Sequence, residues 1–425
     1  MTASRPSLRW AIALLLFLST AINYLDRQTL SILATTIQKD LGIDDVGYAK
    51  ITTYFLVSYT IMYAISGRLV DFLGTRLSLA WAVTGWSLAG MLHGFAGSIA
   101  QLSACRFILG AFESANYPAG AKAIAEWFPL KERALGVAIL AAGGAVGAVI
   151  AFPLVSYLAL SYGWRSTFVV VGAVGFFWVA GWLLVNKGRP AGLGQGVNPP
   201  GGPTSLTGVT DPEKPFGLRA LLSSRRAWGC ILVRVFTDPI IYFISFWVPK
   251  YLAANHGYTL ADIGMFAWIP FAALSAGQII GGALTDWLVG RGRALDRVRK
   301  GLMLSASLLV LVAGATVALT DVPAVALLGV AALAFGHGLW GNLAVPAEVF
   351  PSHSVAFVTG LGGTLGGVAG IISQFCIAWA AGHQGYPYIF AVFSICPLLA
   401  YFAVRLLVGR LGVITHSLEP EPTKV

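Results

Sequence analysis

The sequence predicts an all-α membrane protein: twelve transmembrane helices arranged as two six-helix, pseudo-symmetric bundles. Three observations carry that prediction. Hydrophobic residues fill 57% of the 425 positions and charged residues only 11%, against about 25% charged in an ordinary soluble domain, and the mean hydropathy is +0.76. Apolar stretches of bilayer-spanning length recur with short polar breaks between them. One long polar break divides those stretches into two equal sets.

The stretches fall at 10–35, 48–70, 76–97, 100–125, 134–160 and 164–186, then at 227–253, 260–285, 301–320, 323–346, 354–381 and 387–410. The first competes with a secretory signal peptide. It has no clean small-residue cleavage site and continues past Asp26 and Arg27 into TLSILATTI, so a membrane helix is the better reading. The long break, Lys187 to Arg226, contains NPPGGPTSLTG, a Pro/Gly-rich composition suited to a flexible linker. The expected organisation is therefore a bundle over 1–186, a linker over 187–226, a bundle over 227–410 and a tail over 411–425.

Charge placement sets topology. A net charge of +10 would suit a nucleic-acid binder, but such a protein needs a solvated basic face, and these charges are scattered through short loops. When both termini, the linker and every second loop are placed on one side, that side collects most of the 28 basic residues, while Lys39, Lys50, Arg165 and Lys250 fall opposite. The positive-inside rule then puts both termini in the cytoplasm, for a protein of the cell's inner membrane. Cys105, Cys230, Cys376 and Cys396 all lie within apolar stretches and lack metal-ligand spacing, which predicts buried free thiols with no disulfide.

An internal repeat supports the division. GRLVDFLGTR at 67–76 has a counterpart in GALTDWLVGRGR at 282–293, and EWFP at 126–129 recurs as EVFP at 348–351 with nearly the same offset. An offset spanning six helices leaves both copies of each motif on the same membrane face, the parallel repeat of two six-helix bundles expected of a secondary transporter, with a substrate site between them near the bilayer midplane. The loop GRLVDFLGTR resembles the signature between the second and third helices of the major facilitator superfamily. NYLDR, RFILGAFESANYPAGAKAIAEWFPLKERA and GWRSTF resemble its anion:cation symporter family. RVFTDPIIYFISFWVPKYL, IGMFAWIPF and EVFPSHSVAFVTGLGGTLGG are similar to that family's hexuronate branch, over about residues 9 to 410. GHGLWGNLAVPAEVFP departs from the longer polar run common in that branch.

Charges at bilayer depth cost a few kcal/mol and mark function by default. On the fourth stretch Arg106, Gly110, Glu113 and Tyr117 share one helical face. Asp26 and Arg27 are neighbours on the first stretch, about 100° apart around the helix, so they cannot simply neutralise each other. On the functional reading, Arg27 and Arg106 attract an anionic substrate through guanidinium forks matched to a carboxylate, while Asp26 and Glu113 titrate. On the competing reading all four form a structural ion-pair network. The resemblance points to the functional one: it implies anion-binding arginines at Arg27 and Arg106, protonation sites at Asp26 and Glu113, and a substrate-contacting tyrosine at Tyr59, with Tyr24 of the NYLDR stretch placed beside it.

Other polar residues receive weaker assignments. Lys122 either snorkels toward the membrane surface or touches substrate. Gln278 and Asn342 are candidate ligands for sugar hydroxyls, as are Tyr242 and Gln374, with helix packing as the alternative for each. Arg234 and Asp238, four apart, suit a local salt bridge, with Pro239 expected to break or kink the helix beside them. Asp71, Arg76 and the repeat residue Asp286 suit a cytoplasmic conformational latch. The runs AAGGAVGA and GLGGTLGGVAG lack the Lys-Ser/Thr ending of a phosphate loop and suit close helix packing. No catalytic motif appears, and no cofactor is implied. The expected function is proton-coupled symport of a sugar acid, hexuronate favoured, by a monomer using alternating access. The alternatives are an organic-anion or sugar-phosphate exchanger and, from another class, a membrane-embedded enzyme or receptor.

Overall fold

A computed structural model describes residues 6–129, 132–187, 222–350, 352–383 and 385–412. Most of the expected linker and tail lies outside the described residues. The described residues form helices and short connections, with no strand among them. In chain order the helices are α1 Pro6–Ile32, α2 Ala34–Leu41, α3 Asp45–Leu92, α4 Ile99–Glu113, α5 Asn116–Trp127 and α6 Arg133–Val185. They continue as α7 Arg225–Phe246, α8 Val248–His256, α9 Leu260–Phe266, α10 Ile269–Gly290, α11 Leu295–Leu319 and α12 Pro323–Trp340. The last three are α13 Val345–Val349, α14 Ser352–His383 and α15 Tyr386–Ala403.

All twelve apolar stretches fall on helices, though not one to a helix. The 48-residue α3 and the 53-residue α6 each carry two, joined at Gly74 (φ 74°) and Gly163 (φ 81°). Those backbone conformations are cheap only for glycine, which is why the chain turns there. By length and apolarity alone, eight described helices qualify as membrane spans, or nine with the bent α3 included. The fourth stretch does not qualify because it is broken between α4 and α5. Helix starts follow side-chain chemistry: Asp44 accepts from the Gly47 N–H at 2.7 Å, Ser98 accepts from the Gln101 N–H at 3.2 Å, and Thr259 with Asp262 forms a capping box.

The chain packs as two compact units. The first comprises Met1–Val197, Ser245–Ala272 and Gln374–His383. Within it α1 lies close along α6, because a side chain at Gly143 or Gly147 would collide with the carbonyls of Phe17 and Ala21. The later segments join this unit through polar contacts: Tyr48 donates to the Phe246 carbonyl at 2.6 Å, Lys250 pairs with Asp45, and the Gln374 side-chain oxygen accepts from Thr52 at 3.0 Å and Trp247 at 2.8 Å.

The second unit comprises Asn198–Ile244, Ala273–Ser373 and Gln384–Val425. Its core gathers Val233, Met303, Ala306, Trp340 and Phe350, and the Trp340 indole donates to Ser307 at 3.0 Å. Here α7 runs through Pro239 to Phe246 without the break that proline suggested. The four cysteines are free as expected, and Cys105 and Cys230 are buried. Cys376 is exposed and Cys396 only partly covered, which corrects the expectation of four buried thiols. An outer surface that meets hydrocarbon gives an apolar residue no reason to turn inward.

Candidate functional site

The intramembrane charges converge inside the first unit, where α1, α3 and α4 pack. Glu113, 1% exposed at the end of α4, accepts twice on one carboxylate oxygen from Arg27 of α1: Nε to Oε2 at 3.0 Å and Nη2 to Oε2 at 2.8 Å. Nη2 of Arg27 also donates to Asn23, one turn earlier, at 3.3 Å. The Glu113 Oε1 atom has no hydrogen-bond partner. Three rings enclose the Arg27 guanidinium, with centroids at 4.9 Å for Tyr24, 5.1 Å for Phe55 and 4.9 Å for Tyr59, inside the range where an aromatic face attracts a cation. Tyr59 in turn stacks on Tyr63 at 5.8 Å.

Arg106 is held differently. It is 1% exposed, its two terminal nitrogens reach only the Arg27 carbonyl at 3.5 and 3.4 Å, and its Nε has no acceptor. No carboxylate lies within ion-pair distance of it among the described residues. A buried guanidinium with unfilled donors is costly unless an anion completes it. Asp26, 4% exposed, lies against Gly90 of α3, and its Oδ2 is without a partner. The cluster thus contains two cations, two carboxylates and a single ion pair.

The helix breaks put these groups in place. Where α4 gives way to α5 at Ser114 and Ala115, the Asn116 amide donates to Thr20 of α1 at 3.1 Å. This fixes the α4 end, and with it Glu113, against the helix that carries Arg27. The second unit repeats the device. After α12 the chain turns at Gly341, and the Asn342 amide donates to Thr237 of α7 at 2.8 Å. Beside it the expected Arg234–Asp238 salt bridge forms at 2.8 Å. Gly366 of α14 faces that pair, and a side chain there would collide with the Asp238 carboxylate.

The remaining predicted residues lie apart from the charge cluster. Lys122 donates to Asp71 at 2.7 Å and to the Val70 carbonyl at 3.2 Å, so its ammonium sits with the latch candidate. Arg76 donates to the Leu183 carbonyl at 3.2 Å, tying the turn at Gly74 to the end of α6. Gln278 and Asp286 are exposed on α10. At the end of α2, beside the turn at Gly163 of α6, Asp40 accepts from Arg165 at 2.6 Å and from the Trp164 indole at 3.1 Å, and these bonds hold its carboxyl below the usual range. Sequence reasoning missed Phe55 and Asn23. Each stands four residues before a residue already singled out, Tyr59 and Arg27, and that shared-face spacing was the available signal.

Comparison with known proteins agrees with this architecture. Residues 16–373 match the family described as Major Facilitator Superfamily. The hexuronate transporter of Escherichia coli (strain K12) is 28% identical over 417 residues, covering 93% of each chain. A probable galactarate/D-glucarate transporter of Bacillus subtilis (strain 168) is 31% identical over 409 residues, covering 90% of this chain and 87% of the relative. Among solved structures, a bacterial homolog to the human lysosomal transporter Spinster, in an inward-facing and occupied conformation, superposes with a TM-score of 0.77. It is 19% identical and covers 96% of this chain and 100% of its own.

Proposed function

Because this chain belongs to the Major Facilitator Superfamily, a family of integral membrane transporters, we propose that it carries a sugar acid, hexuronate favoured, in symport with protons by alternating access. The observation that carries the reading is Arg106: a buried guanidinium with no carboxylate partner, set against the main chain of an arginine already paired with one. The substrate carboxylate takes the Arg106 donors and draws on Arg27. Arg27 then loosens from Glu113, and Glu113, left in a buried place without its counter-charge, takes a proton. Asp26 is the second proton carrier. Tyr24 and Tyr59 wall the guanidinium, and Lys122, Asp71 and Arg76 act in the conformational step. Relatives named for hexuronate and galactarate/glucarate transport support the substrate class. The distribution of basic residues supports cytoplasmic termini in the inner membrane.

The test uses purified protein in liposomes and labelled glucuronate, galacturonate and glucarate, with and without an inward proton gradient. Gradient-dependent uptake of a hexuronate is the expected result. Uptake indifferent to the gradient would remove the coupling, and uptake of no sugar acid would remove the substrate class.

A further inference from the structure

The Arg27 and Arg106 guanidiniums repel each other, yet one buried ring lies close to both. Phe55 of α3 is 1% exposed, and its centroid is 5.1 Å from Cζ of Arg27 and 5.9 Å from Cζ of Arg106. Tyr24 and Tyr59 approach Arg27 only, so among the described rings Phe55 is the one within reach of both cations. The ring is fixed from three directions. Tyr59 stacks on it at 5.6 Å, and Phe246 meets it edge-on at 6.1 Å and 72°. On the third side Gly110 of α4, one turn beyond Arg106, brings that helix so close that a side chain at 110 would collide with the Phe55 carbonyl and the Ser58 hydroxyl. These contacts set the position of the ring between α3 and α4.

An aromatic face draws a guanidinium by its quadrupole, whereas a carboxylate takes the N–H donors at the guanidinium's edge. The two partners therefore do not compete for the same atoms. We infer that Phe55 is a positioning residue for anion binding, its ring holding the Arg27 and Arg106 guanidiniums at one spacing with their donors directed to a single carboxylate. This rests on the reading of the two arginines as the anion seat. Preorganised donors bind more tightly because the cost of ordering them is met before the ligand arrives.

The experiment replaces Phe55 in the full-length protein by mono-, di- and trifluorophenylalanine, which drain the negative potential of the ring face while leaving its size nearly unchanged. Glucuronate affinity is measured by equilibrium binding, maximal exchange rate in proteoliposomes, and melting temperature without substrate. Kd is expected to rise with each fluorine, about tenfold across the series, with the maximal rate within twofold. Phe55→Tyr should keep the parent affinity, and Phe55→Leu should match the trifluoro variant. A flat Kd series would show that the ring acts by bulk alone and would overturn the assignment. Should the unsubstituted protein bind no glucuronate, the substrate reading fails, and melting temperature decides the role of Phe55: a stepwise fall keeps it, and a flat series sinks it.

Discussion

Replacing Glu113 by glutamine should separate proton coupling from anion binding. Both Arg27 donors end on one carboxylate oxygen, at 3.0 and 2.8 Å, and glutamine keeps an oxygen there while removing the charge. Breaking a buried ion pair costs about 3–5 kcal/mol. Arg27 keeps 15% of its side chain exposed, so the lower end of that range applies. The substrate-free variant should therefore melt below the parent, and glucuronate, which supplies the missing charge, should restore more stability than it adds to the parent. The transport consequence is larger. Each coupled proton contributes about 1.4 kcal/mol per unit of pH gradient, or tenfold accumulation. Labelled glucuronate in Glu113→Gln proteoliposomes should exchange with unlabelled glucuronate inside, yet under a one-unit gradient reach only equal concentrations across the membrane. Accumulation near tenfold in this variant would refute the role of Glu113 and move the proton site elsewhere.

Three further outcomes follow from the same geometry. Arg106→Gln removes the fork that awaits the carboxylate. At about 1.5–3 kcal/mol for a hydrogen bond to a charged group, glucuronate Kd should rise roughly ten- to a hundredfold, and Arg106→Lys should not restore it because a point charge lacks the fork. Gly366→Ala sets a methyl group against the Asp238 carboxylate; overpacking of this kind costs about 1–3 kcal/mol, read as a lower melting temperature and slower exchange. Asp40, held below the usual carboxylate range by Arg165 and Trp164, contributes stability that is present above its unfolded pKa of about 3.9 and lost as pH falls through the lower folded value. Asp40→Asn should therefore flatten the melting temperature between about pH 5 and 3.

The helices were legible because a bilayer imposes length and apolarity on each span. Their joints were legible in position, since the breaks at 71–75 and 161–163 hold Gly74 and Gly163, but not in form. Gly74 and Gly163 are two glycines among 50, and only the backbone shows φ of 74° and 81° there. Within the site, opposite signs on the first and fourth stretches were enough to expect that Asp26 and Arg27 would look to the fourth for partners, but not that Arg27 would take Glu113 while Asp26 and Arg106 stay apart. The Lys122 partner was hidden, because Asp71 lies on another helix and no local spacing links the two. The aromatic enclosure of Arg27 was hidden for a different reason. Rings at helical spacing are the ordinary content of a membrane helix, and nothing in TTYFLVSYT separates Phe55, which reaches two cations, from Tyr54, which is exposed.

The adjacency of Asp26 and Arg27 now has a physical account. A structural ion-pair network would leave no buried charge unmatched, since each unmatched charge in low dielectric costs several kcal/mol. This cluster does the opposite: Arg27 is satisfied by Glu113 and three rings, while Arg106 and Asp26 are left without a partner of opposite sign at bonding distance. With all four groups ionised the charges sum to zero, so an anion entering alone would add an uncompensated negative charge to a buried place, and a proton alone a positive one. A monocarboxylate on Arg106 together with a proton on Asp26 or Glu113 leaves the sum at zero. Under the proposed symport, the unpaired remainder is the physical reason for the anion and the proton to travel together, and it follows from placing Asp26 and Arg27 about 100° apart on one helix, where each must find a different neighbour.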